Sequence, residues 1–257
     1  MARTRCIICG KPASYRCKYC GDTLCEEHLS PEMHWCIGLE SYKRDLEAGR
    51  TAPIAKTARE RQIKFDANLF SIFSHNYSYL LLFLISLSFV LQLLIPEQYY
   101  TNQLILDPKL VMERPWTLVT SIFLHGSFMH FLVNMFVFFF FAPVLERKVG
   151  SSKFLLIFFL AGIVAGIGWS LTSINPALGA SGAVYGILGA LAVLMPKMKV
   201  YVFPLPVPID IWIVVIFFAL FFDALPVLAG SPDGIAHTAH LSGLFFGLFA
   251  GMWLKKT

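Results

Sequence analysis

Residues 181–195 read Ser-Gly-Ala-Val-Tyr-Gly-Ile-Leu-Gly-Ala-Leu-Ala-Val-Leu-Met, with no charge anywhere in the run. Gly182, Gly186 and Gly189 recur at helical spacing. Small residues so spaced let helices in a bilayer approach closely. The polar residues Ser181 and Tyr185 stand four apart and share a helix face. This segment is short and glycine-rich, its start depends on the loop before it, and the flanking sequence supplies further candidate spans. Five further stretches approach the ~20 apolar residues that a transmembrane helix needs. They are Tyr77–Ile95, Met129–Leu145, Phe154–Leu171, Ile209–Leu228 and His237–Leu254. Together with Ser181–Met195 they predict an all-α membrane protein with six transmembrane helices over residues 77–257.

The composition agrees. Of the 257 residues, 56% are hydrophobic and 14% charged, where a soluble domain carries about 25% charged residues. These figures exclude an ordinary soluble enzyme, a disordered chain and a collagen-like chain. The net charge of +5 is unevenly placed: residues 1–76 hold 12 of 21 Lys and Arg, 9 of 16 Asp and Glu, and all six cysteines. A small polar head therefore precedes an oily body, and nucleic acid is not an expected partner. No apolar stretch follows Met1–Arg5, so a cleaved signal peptide is not expected. With the head in the cytoplasm, the loops on that side carry Arg147, Lys148, Lys153, Lys197 and Lys199, and the tail carries Lys255 and Lys256. The opposite side holds only Lys109 and Arg114. The positive-inside rule then puts both termini in the cytoplasm. The outer loop Pro96–Pro115 is apolar enough to lie in the membrane interface.

Polar side chains inside such a body are costly and are candidates for function. Around the second span these are His125, His130 and Asn134, the last two sharing a face. The last span carries His237 and His240. Alone, each reads as a helix contact. Together they contain what acyl transfer needs. A serine requires a base, for which neutral imidazole serves. A developing oxyanion requires preorganised donors. The Ser181 backbone N–H, the His130 ring and the Asn134 amide offer them. The row Ala239, Gly243, Gly247 and Gly251 would let the last span, with His240, pack closely against the helix bearing Ser181.

The body resembles the rhomboid intramembrane serine proteases. The matching residues are His125-Gly-Ser-Phe-Met-His130-Phe-Leu-Val-Asn134, Glu146-Arg147, Gly179-Ala180-Ser181-Gly182 with Tyr185, and Ala239-His240-Leu-Ser-Gly243 with Gly247. The resemblance implies Ser181 as nucleophile and His240 as general base, a dyad without an acid and without a catalytic cofactor. It implies an oxyanion hole of His130, Asn134 and the Ser181 backbone, with His125, Tyr185 and Gly179 in support. Tyr185 would stack on the base, and Glu146 would anchor the cytoplasmic end of the second span. Substrates would be single-pass transmembrane proteins entering from the bilayer past Ile209–Leu228. The family's Trp-Arg pair is here Trp116-Thr117. His237, Asp210 and Asp223 fall outside the motif, His237 reading as interfacial and the aspartates as span-end or helix-contact residues.

The head reads Cys6-x2-Cys9-x7-Cys17-x2-Cys20-x4-Cys25-x2-His28-x5-His34-x-Cys36. Eight such ligands make two tetrahedral zinc sites. Three disulfides are the alternative, but these are rare in the cytoplasm. The spacing resembles the AN1-type zinc finger, which interleaves its sites. That implies one structural zinc on Cys6, Cys9, Cys25 and His28, and another on Cys17, Cys20, His34 and Cys36. It also implies a cytoplasmic protein partner. The expected organisation is a finger at 1–40, a charged and partly helical linker at 41–76 with a basic juxtamembrane stretch from Arg59 to Lys64, and the protease domain at 77–257. A rhomboid-like pseudoenzyme scaffold is the alternative function. The setting expected is the cell membrane of a prokaryote, with the finger pointing to an archaeon.

Overall fold

The computed structural model describes residues 5–50, 76–202, 207–230 and 234–256. The basic stretch Arg59 to Lys64 lies outside them. The chain forms two units, Met1–His75 and Asn76–Thr257.

In the first unit, strands β1 (Tyr15–Arg16) and β2 (Thr23–Leu24) pair antiparallel, with Tyr15 opposite Leu24. Single 3-10 turns follow at Glu26–His28 and Pro31–Met33, then helix α1 (Leu39–Glu47). Among the described residues the core is small: Leu24, Ala13 and the buried thiols of Cys6, Cys17, Cys25 and Cys36. So few apolar side chains do not hold a domain without a staple. Tyr42 of α1 is buried and packs edge-on against Tyr19, ring centroids 5.4 Å apart. The Tyr19 hydroxyl also donates to Asp45 at 3.3 Å. The expected boundary at residue 40 therefore cuts through a helix that belongs to the cysteine-rich unit. A single buried aromatic among charged residues leaves no apolar periodicity to reveal this.

The second unit runs α2 (Tyr77–Leu94), α3 (Thr101–Leu104), α4 (Thr117–Thr120), α5 (Phe128–Val149), α6 (Ser151–Thr172) and α7 (Ser181–Leu194). A ribbon of β3 (Lys199–Val200) and β4 (Ile209–Asp210) follows, tied by a Lys199–Asp210 ion pair at 2.8 Å. Next come α8 (Ile211–Phe217), a π-helical segment (Phe218–Ala224), α9 (Leu225–Ala229) and α10 (His237–Lys256). Among the described residues, four runs are long and apolar enough to cross a membrane: Tyr77–Leu94, Phe128–Val149, Ser151–Thr172 and Ile211–Ala229. The unit is thus a helical membrane bundle. α7 is apolar but has 14 residues, about 21 Å at 1.5 Å per residue. α10 has 20 residues, diluted in apolarity by His237, His240, Ser242 and its glycines.

α7 lies at the centre, with nine of its residues buried. Its glycines meet those of α10. A Cβ on Gly243 would run into the Gly182 carbonyl, and one on Gly247 into the Gly186 carbonyl. Backbone therefore meets backbone along this seam, which brings α10 close to the start of α7. At the opposite end of α5, buried Glu146 accepts the Tyr77 and Ser78 backbone N–H groups, each at 2.8 Å, and the Ser151 hydroxyl at 2.7 Å. A carboxylate here satisfies donors that the first turn of α2 leaves open.

Candidate active site

Ser181 opens α7 from a pinned turn. Leu106 and Ala177 exchange backbone hydrogen bonds at 3.1 and 2.8 Å, and the Gly179 N–H donates to the Ser121 carbonyl at 2.9 Å. The segment Pro96–Pro115, through Leu106, thus braces the turn. Gly179 has φ +131°, and a Cβ there would stand 2.8 Å from His130 Cε1. Both the backbone angle and the space exclude a side chain.

The Ser181 hydroxyl lies 2.8 Å from His240 Nε2. The two residues are 59 positions apart in sequence and meet because of the glycine seam. Tyr185, one turn beyond Ser181, stacks on the imidazole with centroids 4.6 Å apart and planes 12° from parallel. On the other side of the ring, His240 Nδ1 lies 2.7 Å from Asp223 Oδ1. The same oxygen lies 3.0 Å from His237 Nδ1. His237 is 5% exposed and Asp223 1%. His237 is therefore a buried partner of Asp223, not an interfacial residue. Asp223 is a helix contact of a particular kind, made to the residue expected to act as base. Sequence spacing did not reveal this, because a π-helical turn rotates residues away from the 3.6-residue pattern.

The donors expected for an oxyanion converge on the same place. His130 Nδ1 accepts the Gly126 N–H at 3.4 Å, which assigns the proton to Nε2, the nitrogen facing Gly179. Asn134 gives one amide hydrogen to the His130 carbonyl at 2.8 Å and keeps a second. The Ser181 N–H is in the first helical turn and has no partner within its own helix. His125 is buried against Phe89, His130 and Phe131. Neither of its ring nitrogens makes a hydrogen bond among the described residues. Its backbone is fixed instead: Gln92 accepts the His125 N–H and donates to its carbonyl, both at 3.0 Å. Gln92 is a supporting residue that the sequence did not single out.

His130, Asn134, Ser181, Tyr185, Asp223 and His240 all line one cavity of about 980 Å³. Phe218 and Phe222 form part of its wall. A hydroxyl against an imidazole, beside three donors and in a space this large, is the equipment for attack on a carbonyl.

In the first unit, the eight Cys and His side chains expected as ligands fall into two groups, Cys6, Cys9, Cys25 and His28, and Cys17, Cys20, His34 and Cys36. The Cys9–Cys25 and Cys17–Cys36 sulfurs are 3.6 and 3.7 Å apart. A disulfide needs about 2.05 Å. Four thiolates around zinc at ~2.3 Å stand about 3.8 Å apart. His34 Nδ1 donates towards the Ser30 carbonyl at 2.8 Å, leaving Nε2 to face Cys20 Sγ at 3.4 Å. Such an outer hydrogen bond orients a metal ligand. Burial pushes the Cys9 and Cys36 thiols up to about 11, so thiolates there call for a cation. The donor sets fit zinc. Polar atoms of Asp223, His237 and His240 also lie within 4.8 Å of one another, but they already pair with one another and with Ser181.

Residues 112–257 match the rhomboid domain, and the chain belongs to the rhomboid family. It is 44% identical over 78 residues to the rhomboid-type protein YdcA of Bacillus subtilis, covering 29% of this chain and 38% of that one. It is 30% identical over 148 residues to Rhomboid protein 1, mitochondrial, of Saccharomyces cerevisiae, covering 54% and 42%. It is 30% identical over 138 residues to Rhomboid protease GlpG of Yersinia pseudotuberculosis, covering 54% and 48%. The chain spans less than half the length of each of these relatives.

Proposed function

We propose that this chain is an intramembrane serine endopeptidase that cleaves transmembrane proteins through an acyl-enzyme. The observation that carries the reading is the 2.8 Å contact of Ser181 Oγ with His240 Nε2. Ser181 Oγ attacks the scissile carbonyl carbon as its proton passes to His240 Nε2. The carbonyl electron pair moves onto oxygen, which the Ser181 N–H, His130 Nε2–H and Asn134 amide stabilise. His240 then gives its proton to the departing amine as the C–N bond breaks. Water, deprotonated by His240, releases the acyl group. Preorganised donors of this kind supply the largest share of such catalysis.

The cavity beside the Ile211–Ala229 run supports lateral entry of a substrate helix. All six helices cross the bilayer in this reading, with both termini cytoplasmic and the cell membrane of a prokaryote as the setting. α7 is short because it stands in the middle of the protein, with its N-terminal turn at the floor of the cavity. The two ligand quartets of the head hold structural zinc, whose binding supplies folding energy that the small core lacks.

The test is cleavage of a transmembrane reporter in liposomes. Ser181→Ala and His240→Ala each abolish cleavage while the purified chains remain folded. Cleavage by either variant at the native rate refutes the Ser181–His240 reading, and no cleavage by the native chain favours a scaffold that binds transmembrane segments.

A further inference from the structure

We propose that Asp223 is a positioning residue for His240, so that the reactive group is Ser181, His240 and Asp223, drawn from three separate helical runs. The inference rests on the protease reading above.

Asp223 stands in the π-helical segment Phe218–Ala224, beside the exposed rings of Phe217, Phe218, Phe221 and Phe222. A carboxylate buried in such a wall carries a desolvation cost that only good partners offset. Its Oδ1 has two, His240 Nδ1 at 2.7 Å and His237 Nδ1 at 3.0 Å. Its Oδ2 is buried and makes no hydrogen bond among the described residues. An acceptor between two Nδ1 atoms assigns a proton to each. For His240 this has a chemical consequence. Neutral imidazole has two tautomers, and only the one protonated at Nδ1 presents a lone pair at Nε2 to Ser181. Asp223 selects that tautomer and fixes the ring plane, while Tyr185 restrains the ring from its face.

The carboxylate also acts during the reaction. When Ser181 Oγ bonds to the carbonyl carbon, its proton moves to His240 Nε2 and the ring becomes a cation. The negative charge 2.7 Å from Nδ1 stabilises that cation between two side chains that are largely buried. Asp223 takes up no proton, and the proton on Nε2 leaves with the amine. The π turn provides the placement, since one extra residue per turn swings Asp223 inward from a run whose neighbours face outward.

The test uses the full chain in liposomes, a fluorogenic transmembrane peptide, and a fluorophosphonate that labels activated serine without needing a substrate site. The variants are Asp223→Asn, Asp223→Glu and His237→Gln, with Ser181→Ala as the blank. Asp223→Asn lowers kcat by about 10²- to 10⁴-fold. It slows fluorophosphonate labelling in parallel and leaves KM within about threefold. Asp223→Glu gives an intermediate kcat at the same KM. His237→Gln, which leaves the His240 contact in place, costs less than about tenfold in kcat.

Full kcat in Asp223→Asn overturns the proposal, as do equal losses in Asp223→Asn and His237→Gln, which mark a packing role. Inhibition of the native chain by zinc, escaped by a fully active Asp223→Asn, assigns the three residues to a cation instead and also overturns it. Should Asp223→Asn fail to fold, Asp223→Glu decides: reduced kcat supports the proposal, and native kcat with raised KM contradicts it. If the native chain neither cleaves nor labels, it is the protease reading that fails. If the native chain is active and Asp223→Asn equals it, only the role of Asp223 fails.

Discussion

Gly243 of α10 lies against the backbone carbonyl of Gly182 in α7, with no room for a methyl group between them. His240 is one helical turn before Gly243 and Ser181 one residue before Gly182, so this contact sets the distance between the two functional side chains.

Gly243→Leu therefore pushes α10 off α7 and parts Ser181 from His240. A misplacement near 1 Å costs about 10²-fold in rate. Reporter cleavage in liposomes should fall at least that far, while the variant still inserts and purifies. A Gly243→Leu chain with native cleavage would show that the seam does not hold the pair in register.

Gly179→Ala tests the turn before Ser181. Its φ of +131° and the 2.8 Å approach of the His130 ring to a built Cβ each oppose a side chain. The expected result is a fall in kcat with little change in KM, because His130 and the Ser181 N–H are displaced from the oxyanion position. Kinetics on the transmembrane reporter distinguish this from loss of substrate binding.

Much of this arrangement is legible in the sequence. Glycine rows in two segments announced a close helix pair, and the pair carries Ser181 and His240. The i,i+4 spacing of His130 and Asn134 placed both on one face, where the cavity is found. Cys-x2-Cys pairs with trailing histidines pointed to the eight head residues that gather into two clusters. Three features were hidden, each for a physical reason. The His240–Asp223 contact depends on a π turn, which has no hydrophobic period of its own. The clamp between Gln92 and the His125 backbone joins residues 33 apart, and a lone glutamine in an apolar run gives no spacing signal. Tyr42 ties α1 to the cysteine-rich head through one ring, too little for a periodic stripe.

Glu146→Ala tests stability separately from chemistry. It leaves the Tyr77 and Ser78 N–H groups and the Ser151 hydroxyl without their acceptor. Hydrogen bonds to a charged group contribute about 1.5–3 kcal/mol each. Thermal unfolding should shift to lower temperature by several degrees. Fluorophosphonate labelling of the folded fraction at low temperature should stay near native, because Glu146 is remote from the cavity. An unshifted unfolding curve would contradict the anchor role.

Metal analysis of the purified chain tests the head. About two zinc ions per chain are expected, and Cys25→Ser should leave about one. A strong chelator should expose the head to protease, since the cation supplies the folding energy. A metal-free chain whose head resists protease would refute the paired sites.

The proposed mechanism makes Ser181 a nucleophile activated by His240. The most direct measurement is mass-spectrometric mapping of a fluorophosphonate adduct on the membrane-embedded chain. The predicted result is one adduct, on Ser181, absent from Ser181→Ala and strongly reduced in His240→Ala. No adduct on the native chain, or equal labelling of His240→Ala, would contradict it.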